Sequence, residues 1–180
     1  MADTAKVDTQ HPGYADMAGE WQKVRDCVNG QRAIHAAGTA YLDKLSGETD
    51  RGYAHRMSLA SFFNAGARTI DGLLGMITMK PPRAESAGYN LNDGVALSGL
   101  SFDGFTETVL REVVEVGRVG VLVDYPSVDA TVTTMADAVR QGLQPTMALF
   151  LAEQIINWRT SMIAGRQNLS LVVLAETEDI

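Results

Sequence analysis

Between Ser101 and Pro126 the hydrophobic period changes, and that change dictates a helix and a strand back to back. Phe102, Phe105, Val109, Val113 and Val116 advance by threes and fours, which places them on one face of an α-helix. Ser101 stands where an N-cap belongs, Asp103 and Glu107 fall in opening turns favoured by the helix dipole, and Gly117 suits the C-terminal cap. The period then drops to two: Val119, Val121, Val123 and Tyr125 alternate with Gly120, Leu122 and Asp124 until Pro126 ends the run. Both alternating sets hold apolar residues, so this reads as a central strand covered on both faces. Neither an all-helical bundle nor an all-β barrel accommodates the switch.

Upstream the pattern is helical. Residues 1–17 are polar, broken by His11-Pro12-Gly13, and read as a flexible leader before a domain spanning 18–180. A helix begins near Ala18, with Trp21, Val24 and Val28 on one face and Gly30 at its end. Residues 31–45 read as an irregular connector anchored by Ile34, Tyr41, Leu42 and Leu45. From near Ser46, the stripe Tyr53, Met57, Ala60, Phe63, Ala67, Ile70, Leu74 and Ile77 predicts helix, with Glu48 and Asp50 in its first turn. At roughly 30 residues it is too long for one ordinary helix, and Asn64-Ala65-Gly66 is where it divides or kinks. Phe63 reads as a core side chain whose truncation to alanine costs on the order of 3–5 kcal/mol. Pro81-Pro82 stops the helix, and the Pro-, Gly- and Asn-bearing stretch 81–100 reads as a loop.

Downstream, a short helix is predicted from Thr134 to Gln141, capped by Thr133 or Thr134. Three strands follow, Thr146 to Leu151, Asn157 to Ile163 and Leu169 to Glu176. A single helical turn at Ala152 to Ile155 separates the first two, and Ala164 to Asn168 forms a hairpin loop between the last two. The fold class is α+β: a helical N-terminal half followed by a mixed, antiparallel sheet with helices. The sequence stops at Thr177-Glu178-Asp179-Ile180, just after a strand, as a cut inside a longer protein would leave it.

Hydrophobic residues make up 46% of the 180, enough for a core without disulfide or metal staples. The single cysteine, Cys27, excludes an intrachain disulfide and reads as a buried structural thiol in a reducing setting. No secretory signal opens the chain, and apolar runs such as Leu171 to Ala175 are far too short to cross a bilayer. The net charge is −7, and residues 101–180 hold five Lys/Arg against eleven Asp/Glu with no basic run anywhere. Tight gripping of a nucleic-acid backbone needs the opposite distribution.

The chemistry-bearing residues are scattered. His11, His35 and His55 lie far apart, and His55 has Leu59, not a ligand, one helical turn on. Gly117-Arg118-Val119-Gly120 precedes a strand, whereas phosphate loops follow one and open a helix. Asp124, at the C-terminal end of a strand, occupies a place where α/β enzymes keep a catalytic carboxylate or metal ligand. It is equally a turn former before Tyr125-Pro126. Gly72 and Gly75 around Leu73-Leu74 permit close helix packing, as simple crowding relief or as an oligomer contact, and Trp158 is a core anchor or an interface ring. No catalytic, cofactor-binding or metal-binding residue is assigned, and no cofactor.

Several stretches, in order, resemble the N-terminal wing region of the portal (head–tail connector) proteins of tailed bacteriophages. They are Trp21-Gln22-Lys23-Val24-Arg25-Asp26-Cys27-Val28-Asn29-Gly30, Tyr53 through Arg56 with Asn64 and Ala67-Arg68-Thr69-Ile70, and Lys80-Pro81-Pro82. Gly117 through Pro126 and Ile155-Ile156-Asn157-Trp158-Arg159 complete the set, which covers most of the chain. The resemblance implies a structural protein with no enzymatic activity. It forms a homo-oligomeric ring, usually a dodecamer, at one capsid vertex of the virion, after assembly in the host cytoplasm. DNA passes through the channel without sequence-specific binding. Terminase, capsid and head–tail adaptor proteins are the implied partners, and no membrane is involved. The stem, clip and crown follow later in such chains, and the matched residues are fold-defining positions. Two alternatives stand beside it: another virion assembly or adaptor protein, and a small α/β enzyme or metal-dependent hydrolase using Asp124.

Overall fold

A computed structural model describes residues 6–80, 84–85, 91–92, 94–126, 134–141 and 143–176. His11 opens the first helix: its ring Nδ1 accepts the Gly13 N–H at 3.0 Å, and Pro12 at the first helical position brings its fixed φ and no orphan donor. Helix α1 therefore spans Pro12–Asn29 and starts six residues before Ala18, so residues 12–17 are helix rather than leader. The His11-Pro12-Gly13 sequence that reads as a break is a start. Gly30, at φ 82°, ends α1 as its sequence predicts.

The connector expected over residues 31–45 contains helix α2 (Gln31–Ala37) and a 3-10 turn, Gly38–Ala40. No residue of α2 is buried, so it has no apolar stripe to betray it. The long helical stretch divides, as the sequence predicts, into α3 (Asp50–Leu59) and α4 (Ala65–Ile77). Thr49 caps α3 by accepting the Gly52 N–H. Glu48 precedes that helix instead of lying in it; hydrogen bonds from Arg56 and the Leu45 N–H hold its carboxyl at about 2. Asn64 caps α4 by accepting the Ala67 N–H, and its amide donates to the Val28 carbonyl.

Between α3 and α4 the chain is extended, with Ala60 at ψ 129°. Threefold and fourfold spacing counted across that break does not share a face. Phe63 is 70% exposed, contrary to its reading as core, and Ile77 is also exposed; the buried residues of α4 are Ile70 and Leu74. Pro81-Pro82 lies outside the described residues. Helix α5 (Phe102–Val116) has both expected caps: Ser101 Oγ accepts the Gly104 N–H, and Gly117 adopts φ 75°. Its stripe is buried at Phe105 but half-buried or exposed elsewhere, Val113 among the exposed.

Strand β1 (Val119–Asp124) pairs antiparallel with β2 (Thr146–Leu151), Val119 opposite Leu151 and Asp124 opposite Thr146. Between them lies helix α6 (Met135–Arg140), where Thr134 Oγ1 accepts the Asp137 N–H while the Asp137 carboxylate accepts the Thr134 N–H. The cap is therefore Thr134; Thr133 lies outside the described residues. A 3-10 turn, Ala152–Gln154, leads to β3 (Ile155–Ile163), which pairs antiparallel with β4 (Arg166–Leu174). The hairpin loop shrinks to Ala164-Gly165, both at positive φ (49° and 75°), the geometry a twisted two-residue turn requires. Among the described residues each sheet has two strands. β1 is hydrogen-bonded to β2 alone among the described strands, and Val121, Leu122 and Val123 are 44–64% exposed, so it is not the doubly covered central strand expected.

The class is α+β, with a helical N-terminal half and two small antiparallel sheets. Helix α1 packs on α2, α4 and α5, and α4 packs on α5. The core joins Trp21, Ile70, Leu74 and Phe105 of those helices to Phe150, Ala152 and Ile155 of the sheet half. Leu74 is 3% exposed, so Leu74→Ala is predicted to cost about 2–5 kcal/mol in chemical denaturation. Phe63→Ala is predicted to cost less than about 1 kcal/mol, because most of the ring already faces water.

Candidate functional site

Arg25, on the polar side of α1, meets three carboxylates from two other elements. Its guanidinium reaches Glu112 at 2.6 Å and Glu115 at 2.9 Å, both on α5, and Glu153 at 2.9 Å, in the 3-10 turn before β3. Glu112 and Glu153 are each engaged through both oxygens, the fork geometry that suits a planar guanidinium. Glu115 is 6% exposed and takes a further contact from Arg111 at 3.5 Å. The Glu153 hydrogen bond drives the Arg25 pKa up against the opposing effect of burial. Burial works against ionisation of Glu153, yet the Arg25 bond prevails and leaves its carboxyl below the usual range.

A stack of rings stands beside this joint. Trp158, on β3, stacks with the His11 imidazole, 3.8 Å away at 22°, and the Arg118 guanidinium lies 3.9 Å from its ring centre. Arg118 also lies 5.7 Å from the Trp21 ring, and Tyr14 meets Trp21 edge-on. Burial pulls the Arg118 pKa down, and among the described residues it has aromatic faces rather than a carboxylate for company. Tyr14 donates its hydroxyl to the Glu153 carbonyl, and Asn157 donates to the Thr9 carbonyl. Trp21, Arg25, Arg118, Asn157 and Trp158 thus converge from three separate stretches of the chain, the first and last of them more than a hundred residues apart.

Along β1 runs an apolar groove of about 610 Å³ whose opposite wall is the β3–β4 sheet. Val119 to Leu122 line it consecutively, as the edge of a strand does, facing Trp158 and Val172. Gly120 makes the groove's base possible: a Cβ there would meet Ile155 Cδ1 at 3.0 Å and Phe150 Cβ at 3.4 Å.

The residues singled out in the sequence are not brought together. Asp124 is exposed at the end of β1, and its Oδ1 accepts the Tyr125 N–H, the behaviour of a turn former. No group of three or more His, Cys, Asp or Glu among the described residues is placed to hold a metal ion. Cys27 is half-buried, not fully buried, in a pocket shared with His35 and Tyr41. His35 Nε2 lies 2.9 Å from the Ala60 carbonyl, His11 caps α1, and His55 is exposed. A Cβ added at Gly72 or Gly75 would meet none of the described atoms within 4 Å, so these glycines relieve no crowding. Trp158 is half-buried and lines the groove, so it is not the fully buried core anchor expected. The carboxylates around Arg25 escaped notice; the clue was Glu112 and Glu115, three apart and hence neighbours on one helical face.

Compared with models of known protein families, the chain matches none. It likewise matches no curated protein sequence.

The Arg25 joint sets two expectations. Arg25→Met is predicted to destabilise by about 1–3 kcal/mol, because it strands part-buried carboxylates around a lost cation, with solvent screening the more exposed Glu153. A carboxyl whose folded pKa is lowered stabilises fully above its unfolded value of about 4.3 and loses that contribution as pH falls through the folded one. Thermal melts between pH 7 and 3 are therefore predicted to show a shallower acid-side decline in Glu153→Gln than in the native chain.

Proposed function

We propose that this chain is the wing segment of a phage portal subunit, part of the ring through which DNA is packaged and ejected and to which the tail attaches. The observation that carries the reading is the use made of the resembling stretches. Trp21, Arg25, Asn64, Arg118, Asn157 and Trp158 come from those stretches, and each makes an inter-element contact: ion pairs, ring stacking or side chain to backbone bonds. A frame locked by charged and aromatic joints suits a ring component under mechanical stress. Its acidic balance, with a pI of about 4.9, suits a surface past which DNA slides without sticking.

In this reading the partners are further copies of the subunit, the terminase motor, the capsid and a head–tail adaptor. The place of action is the capsid vertex, reached after assembly in the host cytoplasm. Negative-stain images of the complete gene product are expected to show rings with a central channel. A product that stays monomeric at all concentrations, also with its capsid partners, overturns the reading. The melting temperature of the chain is expected not to respond to Mg²⁺ or Zn²⁺. A metal-dependent rise that vanishes in Asp124→Ala would favour the hydrolase alternative instead.

A further inference from the structure

Each of the two sheets has one edge closed by another part of the chain. The outer edge of β2 is met by residues 95–97: Met147 donates its N–H to the Val95 carbonyl at 2.8 Å, and Leu97 donates to the Met147 carbonyl at 2.8 Å. The outer edge of β3 is met by the chain entering α1, where the His11 N–H reaches the Ile156 carbonyl at 2.9 Å. Among the described residues the other edges, those of β1 and β4, have no strand beside them.

Exposed apolar side chains gather at those two edges, Val121, Leu122 and Val123 on β1 and Leu169, Leu171 and Val172 on β4. Open strand edges flanked by apolar side chains are templates for another chain, and natural proteins cover or charge them. Here each edge carries one charge, and the signs differ. Asp124 closes β1 and Arg166 opens β4; both are exposed and neither has an ion pair among the described residues.

From these edges we infer that, within the ring proposed above, β1 of one copy pairs antiparallel with β4 of the next, Asp124 facing Arg166. That register also sets Val121 against Leu169 and Val119 against Leu171 on one sheet face. Cross-strand pairs of these kinds are the unit of sheet stabilisation. The occupant enters along the groove that Val119 to Leu122 line. Two different strands meet; made between successive copies the contact is heterologous and propagates, as a ring requires, whereas association that stops at a dimer with two reciprocal β1–β4 joints overturns the propagation. Pairing of β1 with its own twofold mate leaves the apolar edge of β4 in water.

Sedimentation velocity over a wide concentration range tests the pairing. The native chain is expected to associate progressively. Asp124→Arg and Arg166→Asp are each expected to weaken association about tenfold or more, since each sets like charges face to face. Both sites are exposed, so the melting temperature should hold. An equimolar mixture of the two variants is expected to regain association. At one joint the two introduced side chains then meet with opposite charge, and at the next the native Asp124–Arg166 contact returns. A chain that stays monomeric, association that ignores both substitutions, or a mixture that fails to recover overturns the pairing. Rings of the complete product that persist in both variants overturn the pairing and leave the ring reading standing. Recovery in the mixture without rings in the native product does the reverse.

Discussion

Arg25 gathers Glu112, Glu115 and Glu153, so one guanidinium ties α1 to α5 and to the turn from which β3 departs, and the rest of the molecule is arranged around that joint. Such a cluster contributes little net stability, because desolvating four charges offsets much of their attraction. What it supplies is direction. A fork of N–H groups accepts carboxylates in a few orientations only, whereas apolar side chains slide over one another. The apolar contacts of Trp21, Phe105, Phe150 and Ile155 carry no such directional requirement, and the Arg25 joint adds one.

The aromatic stack acts on the same seam from the other side. His11 is at once the cap of α1 and a plate against Trp158, so the start of the helix and the position of β3 are set by one ring. Arg118 continues the stack towards Trp21. Arg25 and Arg118 are thus both engaged in contacts within the chain.

How much was legible in the sequence depended on whether the cause was local. Ser101, Gly117, Asn64 and the Ala164-Gly165 turn act within a few residues of themselves, and each was readable as a cap, a break or a turn. Helix α2 was not, since no apolar stripe marks it. Phe63 was misplaced because a periodic count runs through a break that only the extended backbone at Ala60 reveals. Apolar side chains on both faces of β1 signal cover, and a sequence does not say whether the cover comes from its own chain. The Arg25 cluster joins residues up to 128 positions apart, and no spacing rule reaches that far.

Helix α1 is fastened twice, at His11 by the Trp158 ring and at Arg25 by Glu153. The fastenings stand about 21 Å apart along the helix axis, at 1.5 Å of rise per residue. A rod pinned at one point swivels; a rod pinned at two does not. A force on the β3–β4 hairpin or on the turn before it therefore reaches α1 at two separated points, which resists swivelling of the helix about either one.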